Sequence, residues 1–218
     1  MTAAAADTPA PNDHPTASAR RPTTRGEVAE AWWRALADPK RGDPATFARL
    51  RRCRTPGDAA TIPAAVTLAR RLGALRATTR PTDARVDSAL DLARVLAHVR
   101  EGADERPMRA AGWKSFAGDR KESEAGEDRP RLAEGRFRRL LQTGAGEEQV
   151  AAFVRLVALL GGGVNVRALA PDFLDWSHPE RGPEVRRRWA FDYYAASSAA
   201  PPDRSAPDTL PDAEDDPK

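Results

Sequence analysis

Between its proline and glycine breaks this chain places apolar residues three and four apart, and nowhere does it alternate them convincingly over five residues. Spacings of three and four gather side chains on one face of a helix, whereas a half-buried strand needs a period of two. The sequence therefore predicts an all-α fold. From Arg25, Val28, Trp32, Trp33 and Leu36 mark a first helix that Asp38-Pro39 closes. Adjacent tryptophans cannot face one core equally well, so one is expected to anchor the interior and the other to fill a lateral contact or a partner surface. Phe47 and Leu50 mark a second, short helix, which Pro56-Gly57 is expected to end. Thr61 as N-cap and Pro63 in a first turn open a third, running from about Ile62 to Leu75 through Val66, Leu68 and Leu72. Asp83 caps the next, which carries Val86, Leu90, Leu92, Val95 and Leu96 and runs to Val99.

Residues 101 to 130 break the periodicity. Met108, Trp113 and Phe116 look like anchors there, and the charged, glycine-containing run 118–130 reads as a mobile linker loop. Beyond it, Arg131 to Thr143 turns Leu132, Phe137, Leu140 and Leu141 inward and Arg136, Arg138 and Arg139 outward. A nearly apolar helix follows Glu147 and Glu148, with Val150, Phe153, Val154, Val157, Leu159 and Leu160. It is expected at the centre of its bundle, with Arg155 on whatever edge stays exposed. Gly161 to Gly163 lacks a following Gly-Lys-Ser/Thr and a preceding strand, so it reads as a helix cap and turn rather than a phosphate loop. Val166, Leu169, Phe173, Leu174 and Trp176 form a further helix bent near Pro171. A last one, from Pro183, sets Val185, Trp189, Phe191, Tyr193 and Tyr194 against Arg186, Arg187 and Arg188. The expected organisation is a disordered head (1–22), an N-terminal helical bundle (23–117), the linker (118–130), a C-terminal helical bundle (131–198) and a disordered acidic tail (199–218). Neither end carries enough apolar surface to offset the entropy of ordering it.

Charge narrows the partners. The formal net charge of the 218 residues is +3, but residues 20–100 carry +9, residues 101–200 are neutral, and residues 1–19 and 201–218 carry −2 and −4. A basic body flanked by acidic ends favours a polyanionic partner, with the ends competing intramolecularly for the same surface. The densest basic stretch is ARLRRCRTPGDAATIP, Ala48 to Pro63, in which Arg49, Arg51, Arg52 and Arg54 crowd one corner. Arginine outnumbers lysine 31 to 4; it binds phosphate bidentately and stacks on bases, although a GC-rich genome also enriches it.

Catalytic constellations are missing. The single cysteine, Cys53, excludes an internal disulfide and a cysteine-clustered metal site. Its arginine neighbours could lower its pKa, yet no histidine lies near it in sequence. His14, His98 and His178 are scattered without paired spacing, and no glycine-flanked serine sits between strand and helix. The chain reads as no enzyme, with no cofactor and no metal. No signal-peptide core or run of twenty apolar residues is present, so a soluble, cytoplasmic protein is expected. Two other readings stay open. One is a freestanding DNA-binding regulator led by Arg186 to Arg188 or by the arginine corner. The other is a divergent nuclease built on carboxylates.

The order of segments resembles the CasB family, the small subunit of the type I-E CRISPR surveillance complex called Cascade. The resemblance covers about residues 25–196 and rests on AWWRAL, ARLRR with Pro56 and then Ile62-Pro63, EGRFRRLLQ, FVRLVALL, Leu174 to Trp176, and VRRRWAFDYY. It implies a non-catalytic, all-helical protein of two bundles that pairs with a second copy of itself against the backbone and large subunits. A basic surface would contact crRNA and target DNA and steady the displaced single strand. By position it implies that Arg51 and Arg52 match the family's basic pair, that Arg109, Arg136 and Arg155 fall where relatives are basic, and that Arg49, Arg138 and Arg139 extend the surface; Arg54 completes the corner. The long head, the acidic tail and the enlarged loop at 118–130 depart from the pattern.

Overall fold

A computed structural model describes residues 24–74, 83–113 and 130–194. Among them the chain is all-α, two helical bundles sharing one hydrophobic core. Helices α1 (Arg25–Ala37), α2 (Pro44–Arg52), α3 (Pro56–Ala60), α4 (Pro63–Arg71) and α5 (Ala84–Leu96) are followed by α6 (Pro107–Ala111), α7 (Glu134–Leu141), α8 (Glu147–Leu159), α9 (Val166–Asp175) and α10 (Arg181–Tyr194). The two short strands β1 (Glu101–Gly102) and β2 (Gly163–Val164) pair in parallel. The expected linker, apart from Pro130, and both tails lie outside the described residues, as do Leu75 and Phe116.

Local chemistry sets the helix starts. The Thr24 hydroxyl accepts from the Glu27 N–H while the Glu27 carboxylate accepts from the Thr24 N–H, a reciprocal cap that opens α1. Thr55 and Asp58 make the same exchange at α3. Pro56 therefore starts a helix instead of ending one: α2 stops earlier, at Arg52, and proline sits at the first helical position, where its missing N–H costs nothing. Ile62, not Thr61, stands before α4, which ends at Arg71. At the far end of α8, Gly161 and Gly162 take φ of +72° and +85°, so the triple glycine is a helix exit.

Both tryptophans of α1 are buried, contrary to the expected division of labour. They reach different parts of one continuous core, and each finds a carbonyl: Trp32 donates to Ala64 (2.8 Å) and Trp33 to Val99 (3.3 Å). α1 packs along α9, and the crossing is close at Gly26, where a Cβ would lie 2.2 Å from the Arg167 carbonyl oxygen. The helix buried on every side is α5, from Leu90 to Leu96, which touches α2, α3, α4, α8 and α9. α8 buries Val150, Phe153, Leu156 and Val157 but keeps an open edge that carries Arg155. Phe153, Phe173, Trp176 and Trp189 form an aromatic knot with centroids 4.8–5.3 Å apart. Phe137 stacks on Tyr193 at 3.9 Å and so joins α7 to α10. Phe191, expected inward, is 71% exposed.

Candidate nucleic-acid interface

The amphipathic character of α7 fixes the first half of the site. Burying Phe137 and Leu140 leaves Arg136 and Arg139 on the open side, and α8, whose buried face is held by the aromatic knot, turns Arg155 towards them. The result is a groove of about 620 Å³. Leu132, Leu140, Leu156 and Leu159 line it together with Arg136, Arg139 and Arg155. Its single carboxylate, Glu148, is engaged by the Gly144 N–H at 3.2 Å. Arg136 and Arg155 have no acidic partner among the described residues, and Arg139 makes only a weak bond to the Gly135 carbonyl within its own helix (3.4 Å). Unpaired guanidinium groups over an apolar floor suit a phosphodiester chain, with phosphates at the rim and sugars below.

The corner arginines form a second group, on α2 and the turn after it. Arg51 uses its Nε to bind the Ala97 carbonyl (2.7 Å), and Arg52 binds Ala48 within its helix (3.1 Å), which leaves the outer nitrogens of both free of carboxylates. Arg49 bonds Thr46 and stands 3.9 Å from Asp43. Arg54 is exposed. Two predicted residues are engaged elsewhere. Arg109 shares Asp192 with Arg106 (3.3 and 3.4 Å), and Arg138 pairs with Glu134 at 2.6 Å.

What holds the corner to α8 is Arg94, a residue that periodicity alone does not single out. Although only 5% exposed, it makes five hydrogen bonds: to Asp91 (2.7 Å), to both oxygens of Glu147 (2.5 and 2.9 Å), and to the carbonyls of Cys53 (3.2 Å) and Arg54 (2.7 Å). The Arg94 bonds pull the Glu147 carboxyl below its usual range, whereas burial pushes Asp91 up. The sequence signal was an Asp and an Arg three apart inside an otherwise apolar strip. Its partners, 40 to 53 residues away, left no mark.

The other candidate groups have structural roles. Burial raises the Cys53 thiol, helped by Asp58 and opposed by Arg94, so the thiol is not activated. Burial and then Arg51 lower His98, which is a neutral imidazole at pH 7. The buried carboxylates of α9 and α10 are occupied. Asp175 holds Arg25 through both oxygens and Arg181 at 2.7 Å, Asp172 holds Arg188 and the Trp189 indole, and Asp192 holds Arg106 and Arg109. Among the described residues no group of three or more His, Cys, Asp or Glu could hold a metal ion, and no helix is long and apolar enough to cross a membrane. On α10, Arg188 is paired and Arg186 lies 4.9 Å over the Trp176 ring, which leaves Arg187 alone to lead a recognition helix.

Comparison with known proteins identifies the family. Residues 46–194 match the family described as CRISPR-associated protein Cse2. A CRISPR-associated protein Cse2 of Thermus thermophilus is 42% identical over 67 residues, 30% of this chain and 37% of the relative, so the match spans little more than a third of that protein. A chain in the crystal structure of E. coli Cascade bound to a PAM-containing dsDNA target shares the fold, with a TM-score of 0.51 and 16% identity over 78% of this chain and 95% of its own length. The chain belongs to the Cse2 family, also called CasB, the small subunits of type I-E Cascade.

Proposed function

We propose that this protein is a non-catalytic small subunit of a type I-E Cascade complex, acting in antiviral defence by holding nucleic acid along its arginines without reading sequence. The observation that carries the reading is the α7–α8 groove, where Arg136, Arg139 and Arg155 from two helices face one channel with a single, already engaged carboxylate. Backbone neutralisation of this kind accepts any base order, which a subunit steadying a guide–target duplex and a displaced strand requires. The corner residues Arg49, Arg51, Arg52 and Arg54 would extend the path, with Arg109 and Arg138 contributing less because each already holds a carboxylate. Backbone and large subunits, a second copy of this chain, crRNA and both DNA strands are the partners that the family membership suggests. Individually weak contacts suffice in such an assembly, because engagement by a second copy is intramolecular.

Fluorescence anisotropy with labelled single strands of unrelated sequence tests this. Affinities should agree within about twofold between sequences, and log K should fall with log salt by about 0.7 per phosphate engaged. Arg136→Glu with Arg155→Glu should flatten that slope by about 1.4. A strong preference for one duplex site would support the regulator reading instead, and cleavage dependent on divalent metal would support a nuclease.

A further inference from the structure

The groove has a candidate occupant within its own chain. Residues 208–216, DTLPDAEDD, carry five carboxylates and no cation, and Leu210 is the single large apolar residue after Tyr194. The segment lies outside the described residues and beyond the family match. Its point of departure is fixed. Tyr194, the last residue of α10, places its hydroxyl 3.0 Å from Glu134, the first residue of α7, and its ring edge-on to Phe137 at 5.9 Å. The described chain thus ends beside the helix that supplies Arg136 and Arg139. The fourteen residues from Tyr194 to Asp208 reach on the order of 20 Å without being stretched, while α7 is only about 12 Å long.

Charge and shape both correspond. Three arginines along one groove meet carboxylates at Asp208, Asp212, Glu214, Asp215 and Asp216, and an apolar floor of Leu132, Leu140, Leu156 and Leu159 meets Leu210. We propose that the acidic C-terminal segment around Leu210 is the resident occupant of the α7–α8 groove, displaced when nucleic acid binds. The regulatory half of this rests on the reading of the groove as a nucleic-acid path; the occupancy does not. An attached segment acts at an effective concentration near 1 mM. With a local dissociation constant of about 0.1–1 mM, it weakens strand binding by roughly two- to tenfold. The effect is a filter: short or isolated strands bind more weakly, and a strand presented by the assembled complex displaces the segment.

Two measurements on the full chain separate the claims. Occupancy is read by a spin label at Ala213→Cys in a Cys53→Ser background. Backbone amide signals of Arg136, Arg139 and Arg155 should broaden at low salt and recover at about 0.5 M salt, where the Debye length falls to a few ångströms. Unbroadened signals at low salt overturn the proposal. Competition is read by anisotropy with an oligothymidine of about 15 nucleotides. The variant D208N/D212N/E214Q/D215N/D216N should bind it roughly two- to tenfold more tightly than the wild type at low salt. Joined to Arg136→Glu with Arg155→Glu, the same neutralisation should change affinity by less than about twofold. Equal binding by wild type and neutral tail overturns the displacement. If the groove variant alone leaves strand binding intact while the label broadens the groove, the functional reading fails and the occupancy stands.

Discussion

Arg94 and Arg155 are the same side chain put to opposite uses, and the difference lies in what surrounds each guanidinium. Arg94 is enclosed by two carboxylates and two carbonyls; Arg155 faces a groove with no acidic partner. Removing Arg94 strands a buried Asp91 and two carbonyls, so Arg94→Met is expected to cost about 3–5 kcal/mol, a fall in melting temperature of about 2–4 °C for each kcal/mol. Thermal unfolding followed by circular dichroism checks it, and a change within 2 °C would refute the structural role. Arg51→Glu with Arg52→Glu should change unfolding by about 1 kcal/mol or less, since only the Arg51 bond to Ala97 ties either residue beyond its own helix. A carboxylate gives the pH counterpart. Burial pushes the Asp175 carboxyl up, but Arg25 and Arg181 outweigh it and hold it below the usual range. A depressed carboxyl stabilises above its unfolded value near 3.9 and loses that contribution as pH falls through the folded value. Burial instead raises Asp172, whose sign is opposite. The wild-type melting temperature should therefore drop more steeply below about pH 4 than that of Asp175→Asn; parallel curves would show that the Arg25–Asp175–Arg181 cluster contributes nothing. The Arg25–Asp175–Arg181 cluster was not legible in sequence, because its members lie up to 150 positions apart, whereas the arginine corner was. The outward setting of Arg136 and Arg155 was legible, because Arg136 falls opposite the apolar stripe of α7 and Arg155 is the basic residue in the middle of a nearly apolar helix.

At the scale of elements, periodicity located most helices and failed where a residue has two uses. Pro56 reads in sequence as the end of one helix, yet α2 has already stopped at Arg52, and the Thr55–Asp58 exchange makes Pro56 the start of α3. α6 is five residues long, too short for a period, so it passed as irregular chain. The apolar content of α8 predicts only that it lies at the centre of its own bundle; the helix enclosed from Leu90 to Leu96 is α5, where Asp91 and Arg94 tolerate burial because they pair with each other. Glycine at the α1–α9 crossing was equally unmarked. Gly26→Ala puts a methyl 2.2 Å from a carbonyl oxygen, and since backbone cannot rotate aside as a side chain can, the helices must separate. A loss of about 1–3 kcal/mol is expected in thermal unfolding. A stabilised Gly26→Ala protein would mean that the crossing is looser than described.

For the whole molecule the question is whether two arginine groups serve one strand. Arg94 joins the corner's backbone to the first residue of α8, so the corner and the groove keep a fixed relation, and a strand bridging them meets a rigid surface instead of two independent patches. Rigid, separated sites have a signature in ligand length. If one strand serves both groups, a strand of about 5 nucleotides should occupy the groove alone and one of about 15 to 20 should engage the corner as well. Reversing the corner with Arg51→Glu and Arg52→Glu should leave the short strand's affinity within about twofold and weaken the long strand about tenfold, or ~1.4 kcal/mol. Reversing the groove with Arg136→Glu and Arg155→Glu should weaken both. If corner reversal weakens short and long strands alike, the corner acts through general charge and not as part of a path; if it weakens neither, the path is confined to α7 and α8. Loosening the joint should then convert the pattern. Glu147→Gln keeps every arginine but weakens its bonds to Arg94, so it should lower long-strand affinity and leave short-strand affinity unchanged, a result that surface charge alone would not produce.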